Sequence, residues 1–152
     1  MALLNGIHHL AILTADMDRL IAFYEEVFDA RTLLDMEEEG LRHAFIELGP
    51  TTVLHPFQIT RVDVPQGPIP IFTRGRLDHF ALSASSEDAF RELRRRVIAA
   101  GAGDGTVTDV GPILSLTFTD PDGVEGEVTW SKPGVTFDPS QTRAKWTTVE
   151  MA

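Results

Sequence analysis

The sequence predicts an α+β fold: two tandem βαβββ modules whose sheets pair to form a cup. Three observations carry this expectation. A histidine-led strand and helix occur twice, the hydrophobic period turns strand-like after each copy, and turn residues punctuate the strands that follow. The two copies are "GIHHLAILTADMDRLIAFYEEVFDA" and "GRLDHFALSASSEDAFRELRRRVIAAGA", with His9 aligned on His79.

Each copy opens on an alternating run, with Leu10 and Ile12 in the first and Phe80 and Leu82 in the second. Seven residues after each histidine stands a helix-start residue, Asp16 or Ser86, able to accept from the free N–H groups of a first turn. Ser85 with Asp88 resembles a capping box. Leu20, Phe23, Val27 and Phe28 then match Phe90, Leu93, Val97 and Ile98 at identical offsets. That spacing lays one apolar stripe along a helix. Strands are expected at 30–36, 41–48 and 52–58, divided by Glu39-Gly40 and Gly49-Pro50. In the second copy they are expected at 106–110, 113–119 and 124–130, divided by Gly111-Pro112 and by "DPDG" at 120–123.

The expected organisation is one domain over residues 1–131, made of modules 5–58 and 75–131 joined by the proline-rich linker 59–74. The tail 132–152 has no clear period and reads as an ordered arm or a partly disordered one. A net charge of −10 argues against nucleic acid and anionic membrane as partners, since both require a basic footprint. The chain has no cysteine, which removes disulfides, thiolate metal sites and a cysteine nucleophile. "MALLNGIHHL" lacks the pattern of a secretory signal, so a cytoplasmic location is expected.

In each module the helix covers one sheet face, and strand parity puts His9, Ala11 and Leu13, or His79, Ala81 and Ser83, on the other. The last strand of the first module carries His55 and that of the second carries Glu127. His9 to His55 spans 46 residues and His79 to Glu127 spans 48, so the pairs are equivalent. Three imidazoles and a carboxylate suit one divalent ion, with Zn, Fe, Mn, Co and Ni all admissible. A lone strand histidine is more often structural than a ligand; two at equivalent positions beside a carboxylate weigh the other way. His8 and His43 read as structural or surface residues, Glu37 to Glu39 as a solvated turn, and Tyr24 and Phe28 as helix-core residues. Glu47 is an acid or base only if it faces the cup.

"HHLAILTADMDRLIAFYEEVF", "LDHFALSASSEDAFRELRRRV" and "DPDGVEGEV" resemble the vicinal oxygen chelate superfamily, which includes glyoxalase I, methylmalonyl-CoA epimerase, extradiol dioxygenases and the fosfomycin and bleomycin resistance proteins. The resemblance covers residues 5–131. It selects His9 over His8, selects His79, places a glutamate ligand at Glu127 four residues after the "DPDG" glycine, and lets His55 fill the fourth position. It implies a lyase or isomerase acting on a small substrate with vicinal oxygens through a metal-stabilised enediolate, with Glu127 as ligand and base. The substrate-binding residues expected from parity are Leu13, Val53, Phe57, Ser83, Ser115 and Thr117. One alternative is an Fe(II) extradiol ring-cleaving dioxygenase, if His55 is not a ligand. Another is a metal-free antibiotic-binding resistance protein. Family members often form homodimers, which is the expected state here.

Overall fold

The computed structural model describes residues 3, 6–136 and 146–151. The chain divides into two compact units after Gly67. The first runs β1 (His9–Leu13), α1 (Met17–Phe28), β2 (Arg31–Glu38), β3 (Leu41–Gly49) and β4 (Thr52–Ile59). Its four strands form one sheet in the order β1-β4-β3-β2. The second runs β5 (Phe80–Ser83), α2 (Glu87–Ala99), β6 (Val107–Asp109), β7 (Ile113–Thr119), β8 (Glu125–Ser131) and β9 (Thr147–Val149). Its sheet has the order β5-β8-β7-β6-β9. Each unit is therefore βαβββ, and the second adds a strand at its far edge.

The helices begin where polar caps satisfy the first-turn N–H groups. Asp16 accepts from the Arg19 N–H at 3.0 Å and Ser86 from the Ala89 N–H at 3.1 Å. Each cap contributes about 1 kcal/mol. Ser86, not Ser85, is the cap of α2, because it holds the extended conformation directly before the first helical residue. At the other end α1 stops on Asp29, at φ 53°, whose N–H returns to the Tyr24 carbonyl.

The stripes on both helices bury their central residues. Met17, Leu20 and Tyr24 of α1 pack with Ala44 and Ile46 of β3 and Leu54 of β4, with Leu10, Ile12, Phe23 and Phe28 around them. In the second unit Phe90 and Val97 of α2 are buried, as are Phe80, Leu116, Phe118 and Val128 of the sheet. The stripe is not buried to its end: Ile98 is 42% exposed. It lies over Gly105, where an added Cβ would meet the Ile98 Cδ1 at 2.3 Å, so the helix end rests on a turn rather than on the sheet.

The last strand comes from the tail. Three residues of β9 pair antiparallel with β6, Thr148 opposite Thr108. A strand this short offers no period for a sequence reading to find. The part of the tail at 137–145 lies outside the described residues. No helix among the described residues is long and apolar enough to cross a membrane.

Candidate functional site

Register places the four candidate ligands in matching positions within their own sheets. In the first unit β1 and β4 are parallel, with His9 opposite Val53 and Ala11 opposite His55. In the second, β5 and β8 are parallel, with Ala81 opposite Glu127. Ala11 and Ala81 each lie two residues after the leading histidine, so His55 and Glu127 occupy the same lattice point. His79 itself stands just before β5.

On the open face of the first unit, the His9 and His55 ring centroids are 5.7 Å apart. His9 Nδ1 lies 3.0 Å from His8 Nδ1 in an exposed setting. His55 is more enclosed. Its ring stacks on Phe45 at 4.1 Å and tilts against Phe57 at 4.2 Å. Burial, and then the neighbouring charges of His43 and His9, hold its pKa below the usual imidazole value. His43 stands opposite Phe57, on the same face, and its Nδ1 lies 3.1 Å from His55 Nε2. His43, which reads from the sequence as a structural or surface residue, touches the candidate ligand directly. Glu47 shares this face through its register with Val53, but pairs with Arg31 at 3.0 Å.

The second unit holds its histidine more firmly. His79 Nδ1 lies 2.9 Å from Asp78 Oδ2, and His79 Nε2 lies 3.6 Å from Glu127 Oε1. Asp78 accepts in addition from the Phe72 N–H and from Arg74. Arg74 reaches on to Glu125 at 2.6 Å. The hydrogen bond from His79, offset in part by desolvation, holds the Asp78 carboxyl below its ordinary pKa, with the Phe72 N–H and the Arg74 charge adding to it. An ionised carboxylate only accepts, so the Nδ1–H of His79 is the donor in this bond. The other ring nitrogen, Nε2, faces Glu127. A carboxylate behind an imidazole in this way fixes its tautomer and raises its basicity as a metal ligand.

Glu127 and His79 line a cavity of about 600 Å³ within the second unit. Ser115 and Thr117 of β7 and Thr108 of β6 also line it, as do Ile71, Phe72 and Trp146. Ser83 pairs with Thr129 on the same sheet but is not among the lining residues. Leu13, Val53 and Phe57 share the open face of the first unit with His9 and His55. Within each unit the candidates thus come together as a pair. Among the described residues, no group of three or more His, Asp or Glu converges on one ion-sized point.

Sequence reasoning missed Asp78, Arg74, His43 and Trp146. Asp78 left a faint signal as the direct neighbour of His79. Arg74 left none, because a linker has no period to say where a side chain points.

The family model of the Glyoxalase/Bleomycin resistance protein/Dioxygenase superfamily matches residues 6–128. A solved glyoxylase/bleomycin resistance protein/dioxygenase domain from Frankia sp. EAN1pec is 24% identical with a TM-score of 0.69, over 86% of this chain and 95% of that one. Lactoylglutathione lyase from Agrobacterium tumefaciens is 22% identical with a TM-score of 0.60, over 85% and 96%. The fosfomycin resistance protein FosX from Listeria monocytogenes, solved with Mn(II) and a sulfate ion, is 18% identical with a TM-score of 0.61, over 86% and 96%. At these identities the likeness carries the fold.

Proposed function

Because this chain belongs to the glyoxalase/bleomycin resistance protein/dioxygenase superfamily, we propose that it is a divalent-metal-dependent enzyme of the lyase or isomerase type, acting on a small substrate with vicinal oxygens. The observation that carries this reading is the Asp78–His79–Glu127 arrangement, with the Nδ1 side of the imidazole tied at 2.9 Å and the Nε2 side turned to a carboxylate at 3.6 Å. Nitrogen and carboxylate donors in this set fit a borderline divalent ion. The proposed ligands are His9, His55, His79 and Glu127. When bound, the ion supplies Lewis-acid polarisation of the substrate oxygens. Asp78 keeps the Nδ1 proton in place throughout. Ser115 and Thr117 offer hydroxyls to substrate oxygens from the floor of the cavity. A carboxylate oxygen of Glu127 takes a proton from substrate carbon and returns it, which is general acid–base work by one residue. A cytoplasmic homodimer goes with this reading, and size-exclusion chromatography with light scattering checks its state.

The deciding experiment is elemental analysis of untagged protein purified anaerobically. Near-stoichiometric metal in the wild type, lost in His79→Ala and Glu127→Ala, is expected. A wild type that neither carries nor takes up a divalent metal overturns the reading. A metal-loaded protein is then assayed on the hemithioacetal of an α-ketoaldehyde.

One observation favours a second reading. The His43–His55 contact at 3.1 Å engages Nε2, one of the two ring nitrogens through which His55 could hold a metal. If His55 keeps that contact, His9, His79 and Glu127 remain, and two histidines with one carboxylate are the donor set of non-haem Fe(II) oxygenases. Iron retained in His55→Ala, with ring cleavage of a catechol under air, would establish an extradiol dioxygenase instead.

A further inference from the structure

The cavity that holds His79 and Glu127 has a wall the rest of the fold does not explain. The family model ends at residue 128, and a βαβββ unit ends its sheet at β6. Here β9 adds itself beyond β6, and Trp146, Thr147 and Thr148 line the cavity from that added edge. The wall differs in chemistry from the floor. One register row of this sheet runs Ser83, Thr129, Ser115, Thr108 and Thr148, hydroxyl after hydroxyl across five strands, and its Ser115 and Thr108 lie in the cavity floor. Apolar surface gathers elsewhere in the lining: Ile71 is 48% exposed, Phe72 76% and Trp146 42%, and Ile113 of β7 lies near them in the same cavity. Phe72 is positioned with some strain, at φ 65°, and its N–H is bonded to Asp78. The backbone bond that orients His79's partner therefore also fixes an aromatic wall.

We propose that β9 and its leading Trp146 form a specificity wall of the substrate site, which receives a ring-sized apolar group while the substrate's oxygens lie at the His79 and Glu127 end. The orientation of the substrate rests on the metal-enzyme reading; the wall itself does not. Large aromatic side chains bring apolar contact at low conformational cost, and burying a ring against them contributes in proportion to the area removed from water. The tail is then part of the active surface and not a trailing arm. Trp146 is a specificity-determining residue, and it has no part in proton transfer.

The test compares two probes with the same vicinal oxygens: 2-hydroxyacetophenone, which carries a phenyl ring, and hydroxyacetone, which does not. Binding is measured by calorimetry on full-length wild type, Trp146→Ala and Trp146→Phe, each in chelator-treated and metal-loaded form, with metal content recorded. The wild type is expected to favour the ring-bearing probe by about tenfold or more, the scale of one well-buried apolar group. Trp146→Ala should lose most of that advantage with hydroxyacetone binding unchanged, and Trp146→Phe should restore much of it. Quenching of tryptophan fluorescence by the ring probe should disappear in Trp146→Phe, leaving only the signal of Trp130. An advantage that survives Trp146→Ala overturns the proposal, as does equal weakening of both probes, or a wild type that binds neither. The two readings fail separately. A ring advantage without metal uptake leaves the wall and removes the metal enzyme; metal uptake without a ring advantage does the reverse.

Discussion

In the first unit, the register row under the helix is Leu10, Leu54 and Ile46; in the second, the same row is Phe80, Gly126 and Phe118. Where the first unit has three aliphatic side chains of similar size, the second has two rings and a glycine. The glycine is required there: the Phe118 ring fills the space over Gly126, and an added Cβ would overlap it. Phe80 and Phe118 meet edge to face at 6.1 Å. The open faces differ as well. The first unit sets His9, His55 and His43 among Phe45 and Phe57, while the second sets His79 and Glu127 at the end of a hydroxyl floor. Repetition therefore preserved strand order and the lattice points of the candidate ligands, while side-chain volume and polarity differ around them.

The largest test of this comparison is in the cores. Leu20 and Phe90 occupy equivalent helix positions, both fully buried. Leu20→Ala should cost about 2–5 kcal/mol and Phe90→Ala about 3–5 kcal/mol. Urea unfolding checks the order, and a smaller loss for Phe90→Ala would mean that the second core collapses around its cavity where the first does not.

Next comes the support behind each leading histidine. Asp78 is held by Arg74 and by a backbone N–H, whereas His8 is exposed. Asp78→Ala should weaken metal binding by about 10–100-fold, the scale seen when a carboxylate behind a ligand histidine is removed. His8→Ala should change it by about twofold or less, since an exposed partner orders its neighbour weakly. Competition titration with a metal-sensing dye reads both, and equal losses would break the asymmetry drawn here.

Gly126→Ala tests the close fit of the Phe118 ring over this glycine. It should destabilise the protein by about 1–3 kcal/mol through overpacking. Adding Phe118→Leu should recover part of that loss, as a non-additive cycle between touching residues.

The smallest effect concerns acid. Asp35 is held below its ordinary pKa by hydrogen bonds from Arg42, and Asp109 by hydrogen bonds from Lys132. A depressed carboxyl stabilises the fold above its unfolded value and loses that contribution as pH falls through the folded one. The loss therefore falls below about pH 4. Asp35→Asn and Asp109→Asn should each remove about 0.2–1 kcal/mol at neutral pH and flatten acid unfolding below pH 4. Asp35 should be the larger, because Arg42 grips both its oxygens at 3.0 and 2.8 Å with a planar fork. Circular dichroism against pH measures both.

What the sequence determined by itself was whatever is local or periodic. Helix caps at Asp16 and Ser86 follow from residue type, the apolar stripes from a 3.6-residue period, and the parity of His9, His55 and Glu127 from the two-residue period of a strand. The doubled pattern was enough to name the βαβββ architecture and to suggest equivalent ligands despite loops of unequal length. What tertiary structure decided was every relation between segments that share no period. Arg74 and Asp78 come together behind His79 because the linker turns at Phe72 and its backbone bonds to Asp78. His43 meets His55 because β3 and β4 pair in one register and not the next. The three residues of β9 find the edge of β6 and carry Trp146 to the cavity. Such contacts depend on where the backbone goes in space, and a one-dimensional pattern holds that information only where the chain repeats itself.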